Sequence, residues 1–152
     1  MSLGNEIKKR RPFDSLEQEA MLNVMRTADV LDGEVADLLK PSKLSATQYN
    51  VLRILRGAGP EGLPCGEVAQ RMITRDPDVT RLLDRMEKRK LISRSREKQD
   101  RRVVCARITS TGEKLLAELD PVVIQAHRKQ LGHLSREQLQ LFIELLELAR
   151  KR

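Results

Sequence analysis

Aromatic residues are scarce in this chain, which has two phenylalanines, one tyrosine and no tryptophan among 152 residues. Proteins that bind single-stranded nucleic acid stack bases on aromatic side chains, so this class of binder is disfavoured. Apolar runs are also short, and none approaches the roughly 20 residues that a membrane-spanning helix needs. The N-terminal segment is polar and becomes basic at residues 8–11, unlike a secretory signal. We therefore expect a cytoplasmic protein with no membrane partner.

Cysteine and histidine are rare as well, with two of each. Cys65, Cys105, His127 and His133 lack the spacing of a zinc-ligand set, so we expect no metal. The sequence has no glycine-rich phosphate loop and no nucleophile–base signature, so we expect neither an enzyme nor a bound cofactor. Cys65 begins a predicted helix, where the helix dipole would lower the pKa of its thiol. A redox-responsive role for Cys65 is therefore an alternative to a small, semi-buried packing role.

The positive charge of the chain is concentrated in one segment. The net charge is +7. Residues 71–107 contain 13 Lys or Arg and 6 Asp or Glu, whereas the other 115 residues contain 16 of each sign. A basic block on a neutral scaffold is typical of a surface that binds a polyanion. Base-specific DNA binding, non-specific DNA binding, binding of an acidic protein and a merely solvated charged face all fit this charge.

Hydrophobic periodicity predicts a mainly α-helical fold with a small β element. Apolar residues recur at intervals of three and four over Ser15–Leu39, and Pro41 ends this first long helix. Ser45, followed three residues later by Gln48, is a capping-box signature for the next helix.

A short helix, a tight turn and a second capped helix come next. Cys65–Met72 has the pattern of the short helix, and Ile73–Arg75 that of the turn. Asp76 is the expected N-cap of the second helix, with Pro77 at its first position. This order predicts a helix-turn-helix motif.

The second helix of this motif has a polar face that suits DNA. The major groove is about 12 Å wide and admits a helix whose arginines bind guanine. Arg75, just before the helix, is placed for a phosphate. Asp78 and Asp84 could accept hydrogen bonds from cytosine, although helix capping and pairing within the helix explain them better. The candidate contacts are Arg75, Asp78, Thr80, Arg81, Arg85 and Lys88.

Two short runs, Leu91–Ser95 and Val103–Ile108, predict a β-hairpin with a charged tip, which we call the wing. Basic side chains on a wing reach the adjacent minor groove, where A·T tracts concentrate negative potential. Asp100 is expected to orient one of these arginines through a charge-assisted hydrogen bond, or else simply to form the turn. The candidate wing contacts are Arg94, Arg96, Lys98, Asp100, Arg101 and Arg102.

Two further helices are predicted towards the C-terminus. Thr109 or Ser110 caps the first, in which Pro121 should produce a kink, and Ser135 caps the second. The last helix carries two apolar stripes, a pattern typical of a helix that packs on its own domain and on a partner. We therefore expect a homodimer interface formed by this helix and the first long one. Its candidate residues are Leu16, Leu139, Leu141, Phe142, Leu145 and Leu148.

Several segments together resemble the MarR (multiple antibiotic resistance regulator) family, namely Leu44–Leu52, Gly66–Met72, Val79–Arg89, Asp100–Arg102 and Ile108–Gly112. The resemblance implies a winged helix-turn-helix dimer on a pseudo-palindromic operator, usually a repressor and often relieved by a small ligand. It implies that Arg102 is the minor-groove arginine, with Arg101 as the fallback. Lys90 replaces the glycine usual after the recognition helix. Either the helix ends differently there, or a left-handed cap costs roughly 1 kcal/mol relative to glycine and the added charge offsets that cost.

The expected organisation has four parts: a flexible basic arm at 1–14, a dimerisation helix at 15–43, the winged helix-turn-helix at 44–110 and dimerisation helices at 111–152. A ligand pocket is expected between the dimerisation helices and the helix-turn-helix. Tyr49, Arg53 and His127 are its candidate lining residues, although each also has a structural explanation. The expected partners are double-stranded DNA, a second copy of the chain and a small-molecule effector.

Overall fold

The computed structural model describes residues 2–97 and 100–151. These residues form a mainly helical fold with a small antiparallel sheet, as predicted. The helices are α1 Leu3–Glu6, α2 Leu16–Leu39, α3 Ala46–Ala58, α4 Cys65–Arg71, α5 Val79–Lys88, α6 Ser110–Leu131 and α7 Arg136–Arg150. The strands are β1 Leu63–Pro64, β2 Ile92–Arg96 and β3 Val104–Ile108.

Side-chain caps define where most helices begin. Ser15 caps α2 by accepting a hydrogen bond from the backbone N–H of Gln18. Ser45 and Gln48 form a complete capping box at the start of α3, and this prediction is confirmed. Thr109 is the cap of α6, which decides between the two predicted positions. The segment predicted as a basic arm contains the short helix α1, whose Leu3 is buried.

The helix-turn-helix is present, but its second helix begins later than predicted. Asp78, not Asp76, is the N-cap of α5, and its carboxylate accepts the backbone N–H of Arg81 at 3.0 Å. The carboxylate of Asp76 instead accepts the backbone N–H of Asp78 at 2.8 Å. This local turn keeps Pro77 outside the helix, so the predicted cap at Asp76 is wrong.

The sheet has the strand order β1-β3-β2, with both pairs antiparallel. The hairpin of β2 and β3 was predicted, whereas β1 was not. β1 consists of two residues, Leu63 opposite Ala106 and Pro64 opposite Cys105. Strand β3 is therefore the central strand, and its pairing with β1 joins the wing to the segment just before α4.

The core lies under the helix-turn-helix, between α3, α5, the sheet and the first half of α6. Its fully buried side chains include Leu52, Leu55, Leu83, Met86 and Leu116. Helix α6 runs without interruption through Pro121 and extends beyond this core. Near its far end, the side-chain amide of Gln130 donates to the carbonyl of Leu31 on α2 at 3.0 Å.

The long helices at the two chain ends bury little of their apolar surface within one chain. Only Leu39 is buried on α2, and α7 has no buried residue. Leu139 and Phe142 are half-buried. The exposed large apolar side chains on these helices and on the second half of α6 are Leu16, Met21, Val24, Met25, Val30, Leu38, Val122, Ile124, Leu141, Ile143, Leu145 and Leu148.

Candidate nucleic-acid interface

Helix α5 separates an apolar face from a basic one. Leu82, Leu83 and Met86 point into the core and are at most 2% exposed. On the other side, the predicted groove-facing residues are all exposed. They are Thr80, Arg81, Arg85 and Lys88. The helix thus presents three basic side chains and one hydroxyl to solvent on a rigid support.

The charges around this face leave most of its basic groups available. The cap residue Asp78 lies 3.9 Å from the guanidinium of Arg81, a weak contact between exposed side chains. Arg75, in the turn before α5, is exposed. Among the residues that the structure describes, no carboxylate lies within 4 Å of Arg75, Arg85 or Lys88.

The end of α5 places Lys90 in the left-handed region, with a φ of +58°. The N–H of Lys90 donates to the carbonyl of Glu87 at 2.8 Å, and the N–H of Leu91 donates to that of Met86 at 3.1 Å. This pair of bonds is the Schellman motif, in which glycine is the usual left-handed residue. The sequence argument that Lys90 occupies a glycine position is confirmed.

The wing tip follows directly from β2. Asp100 accepts the backbone N–H of Arg102 at 2.9 Å, and its carbonyl accepts the N–H of Val103 at 3.0 Å. Asp100 therefore forms the turn. Within residues 2–97 and 100–151 no guanidinium pairs with its carboxylate, contrary to the prediction that Asp100 orients an arginine. The guanidinium of Arg96 donates to the carbonyl of Arg101 at 3.1 Å.

Arg101 and Arg102 are exposed, as a minor-groove contact requires. Lys98, another predicted contact, lies outside the described residues. Arg107 on β3 pairs within the hairpin, donating to Ser95 at 2.7 Å and to Glu97 at 3.3 Å.

Arg94 is located differently from the other predicted wing contacts. Its side chain is only 19% exposed and forms ion pairs with Asp84 and Glu87 of α5. Asp84 was expected to pair within its helix, with Arg81 or Lys88, and it pairs across to the wing instead. Both carboxylates lie on one face of α5 because they are three residues apart. This spacing, followed by an arginine on the next strand, was the signal that sequence reasoning missed.

Neither cysteine has the environment of a reactive thiol. Cys65 is half-buried at the start of α4, and desolvation raises the pKa of its thiol more than Arg94 lowers it. Burial therefore outweighs the interactions that lower the pKa of Cys65, and the expected net lowering of this pKa is not found. Cys105 is buried, and desolvation together with the neighbouring Glu97 raises its pKa to about 11. The redox alternative has no support from the thiol environments.

A cavity of about 540 Å³ lies between α2, α6 and the helix-turn-helix. Tyr49 and His127 line it, but Arg53 is not among its described lining residues. Asp29 and Asp32 of α2 bring carboxylates to the lining, and no Lys or Arg is found among the described lining residues. The exposed Ile73 of the turn before α5 also borders the cavity.

Arg53 belongs instead to a polar cluster beside this cavity. The hydroxyl of Tyr49 donates to Asp120 at 2.6 Å, while Arg53 and Arg56 lie 3.3 Å and 2.6 Å from the same carboxylate. Burial raises the pKa of Asp120, but hydrogen bonds from Tyr49 and Arg56 outweigh it and hold that pKa below its usual range. The cluster joins α3 to α6, and sequence reasoning did not find Asp120.

The described residues contain neither a metal cluster nor a membrane-spanning helix. Within residues 2–97 and 100–151, no group of three or more His, Cys, Asp and Glu side chains is placed to hold a metal ion. None of the helices in this part of the chain combines the length and apolar character needed to cross a membrane.

Comparison with known proteins agrees with this geometry. The family model described as MarR family matches residues 44–104. The transcriptional regulator HosA of Escherichia coli O157:H7 is 31% identical over 113 residues, which make up 74% of this chain and 78% of that protein.

Solved structures extend the likeness to nearly the whole chain. A MarR transcription factor from Planctomyces limnophilus is 44% identical, with a TM-score of 0.68 over 90% of this chain and 99% of that one. BpsR of Bordetella bronchiseptica, whose DNA binding is regulated by 6-hydroxynicotinic acid, is 25% identical, with a TM-score of 0.80 over 93% and 100% of the two chains. This chain therefore belongs to the MarR family of transcriptional regulators.

Proposed function

We propose that this regulator is a cytoplasmic repressor that binds a pseudo-palindromic operator as a homodimer and is released by a small ligand. In this proposal Thr80, Arg81, Arg85 and Lys88 enter the major groove. Arg75 contacts a phosphate beside it. Arg102, or Arg101 in its place, reaches the adjacent minor groove.

The exposed basic face of α5 next to a basic wing is the observation that carries the proposal. Arginines on a groove-facing helix bind guanine edges, and arginines in a narrow minor groove respond to A·T-rich shape. Non-specific DNA binding needs only positive charge. The N-cap of α5 and its buried inner face hold the helix in place, so the basic side chains on its outer face start from fixed positions. Fixed positions favour base-specific reading over a diffuse polyanion contact.

Selection of bound duplexes from a random DNA library tests specificity, palindromy and half-site spacing together. We expect an enriched palindrome whose half-site centres lie about one helical turn apart, with A·T-rich flanks. Equal affinity for the selected and scrambled duplexes at about 150 mM salt would instead indicate a non-specific binder.

Arg81→Ala should then reduce the preference for the selected site. Loss of one bidentate base contact costs about 1–3 kcal/mol of discrimination, or roughly 5- to 150-fold. Arg136→Ala is the matched control, because Arg136 is an exposed arginine on α7, outside the basic segment. A uniform loss of affinity for all sequences in Arg81→Ala would make Arg81 a phosphate contact.

The dimer is supported by the apolar side chains that α2, α6 and α7 leave exposed in the single chain. Leu16 is 81% exposed and Leu148 is 63% exposed. So many exposed large apolar side chains on three helices favour an interaction surface. A two-fold dimer would also give the protein the symmetry that a palindromic operator requires. The interface residues in this proposal are Leu16, Leu139, Leu141, Phe142, Leu145 and Leu148.

The cavity between α2, α6 and the helix-turn-helix supports ligand control. Asn50 lines this cavity. The side-chain oxygen of Asn50 accepts a hydrogen bond of 3.0 Å from the backbone N–H of Ile73, in the turn before α5. A ligand there would touch both the long helices and the segment that positions the recognition helix. Asp29 and Asp32 line the cavity, and the only described basic partner of the two is Arg26, which lies 3.7 Å from Asp29 and outside the lining. A cationic aromatic ligand therefore fits better than a carboxylate.

A matched pair of probes tests this preference. Tyramine and 4-hydroxyphenylacetate share a hydroxyphenyl ring and carry opposite charges at pH 7. We expect tyramine at millimolar concentration to raise the melting temperature and weaken operator binding, and Asp32→Asn to reduce both effects. Stronger stabilisation by the carboxylate than by the amine would contradict the charge argument.

A further inference from the structure

We propose that Arg94 is a positioning residue that fixes the wing against α5, so that the recognition helix and Arg102 reach their two grooves together. The inference rests on the proposed DNA-binding function and adds a residue that acts without touching DNA. Arg94 was predicted from sequence as a direct contact, and the geometry assigns it this different task.

The contacts of Arg94 connect two elements from both its side chain and its backbone. Its guanidinium donates to Glu87 at 2.8 Å and 3.1 Å and also donates to Asp84. Its backbone N–H donates to the second oxygen of Glu87 at 2.9 Å. One arginine on β2 therefore engages two carboxylates of α5.

These contacts join the wing to α5, whereas the sheet joins the wing to β1. The chain turns from α5 into β2 through Lys90 and Leu91, and the sheet supports the wing from the β3 side only through the two residues of β1. The base of the wing is held on its other side by Thr109, whose hydroxyl donates to the carbonyl of Lys90 at 2.6 Å. Arg94 adds a contact farther along the wing, and two separated contacts define its direction.

A direct DNA contact is a poorer explanation of Arg94. Its guanidinium is already paired with two carboxylates, and its side chain is mostly buried. A phosphate would have to displace two carboxylates that already accept charge-assisted hydrogen bonds from this guanidinium. A purely stabilising role is the other alternative, and it predicts that Arg94 and Arg102 contribute to DNA binding independently.

A double-mutant cycle separates these roles. In the wild-type background, Arg102→Ala should weaken binding to the selected operator at least about fivefold. In the Arg94→Gln background, the same change should weaken binding less than about twofold, because the wing no longer holds Arg102 at the groove. An equal loss of operator affinity on Arg102→Ala in both backgrounds would overturn the proposal.

Arg107→Gln is the matched control, because it removes one positive charge from the wing as Arg94→Gln does. Arg107 also lies on the wing, but its bonds stay within the hairpin. In the Arg107→Gln background, Arg102→Ala should keep its full effect. Arg94→Lys, which keeps the charge without the planar fork, should restore only part of the coupling. If Arg102→Ala no longer weakened operator binding in the Arg107→Gln background, the loss of positive charge alone would explain the result, and the proposal would be overturned.

A measurement without DNA keeps the inference testable if the operator contact itself fails. Amide hydrogen exchange in the free protein should become at least about tenfold faster at residue 94 in Arg94→Gln and stay unchanged there in Arg107→Gln. Unchanged exchange in Arg94→Gln would show that α5 does not hold the wing. Failure of Arg102→Ala to affect binding, with faster exchange at residue 94, would instead refute only the proposed minor-groove contact.

Discussion

Replacing Lys90 by glycine should stabilise the protein. Lys90 has a φ of +58° and is exposed. A left-handed conformation costs a residue with a Cβ about 1–2 kcal/mol. Glycine avoids that cost but loses about 0.5–1 kcal/mol through greater freedom in the unfolded chain. Since both Schellman hydrogen bonds use backbone atoms and survive the change, the net gain should be about 0.5–1 kcal/mol.

Urea unfolding followed by circular dichroism measures this gain. At fixed protein concentration the midpoint should rise with an unchanged slope, and the melting temperature should rise by about 1–4 °C. Lys88→Gly is the matched control, because Lys88 is an exposed lysine at the end of α5 with helical geometry. It should lose about 0.5–1 kcal/mol. A Lys90→Gly variant no more stable than wild type would refute the strain argument.

Three other perturbations test the remaining features. Leu145→Glu places a charge on the exposed stripe of α7 and should give a monomer by sedimentation at micromolar concentration. Ile73→Glu, the same type of change at an exposed site in the turn before α5, should remain a dimer, and a dimeric Leu145→Glu would exclude this stripe from the interface. Asp120→Asn should lower stability at pH 7, because the pKa of Asp120 is lowered in the folded protein and its ionised form stabilises the fold above about pH 4. The difference from wild type should shrink as the pH falls below that value, and a constant difference would rule out an ionisation effect. Arg102→Ala should weaken binding chiefly to sites with A·T-rich flanks, measured against matched G·C-flanked duplexes, and equal losses on both would argue against minor-groove reading.

Sequence patterns predicted the elements whose signals are local. The capping box at Ser45 and the apolar face of α5 follow from residues within one or two turns, whereas Lys90 was identified through the family resemblance. The start of α5 was misplaced because two aspartates flank Pro77 and local rules allow either to cap. Only the turn formed by Asp76 decides between them.

Features that depend on distant residues could not be read from the sequence. Strand β1 has only two residues and exists because β3 lies beside it. Arg94 and Arg102 look alike in a basic run, yet one is paired with α5 and the other is exposed. The Asp120 cluster joins residues about 70 positions apart, as the separation of 71 between Tyr49 and Asp120 shows. Charge and spacing therefore located the interface but could not assign each arginine its task.

In the proposed ligand-controlled dimer, helix α6 would act as a lever between α2 and the helix-turn-helix. Its 22 residues extend about 33 Å, from the turn after α5 to the region where it meets α2. Its first turn packs so closely on that turn that a Cβ at Gly112 would lie 2.3 Å from the carbonyl oxygen of Leu91. A tilt of about 6° about the distal end would therefore carry the recognition helix about 3 Å. That displacement matches the rise of about one base pair, so in the proposed dimer a small rotation would take the two recognition helices out of step with successive turns of DNA.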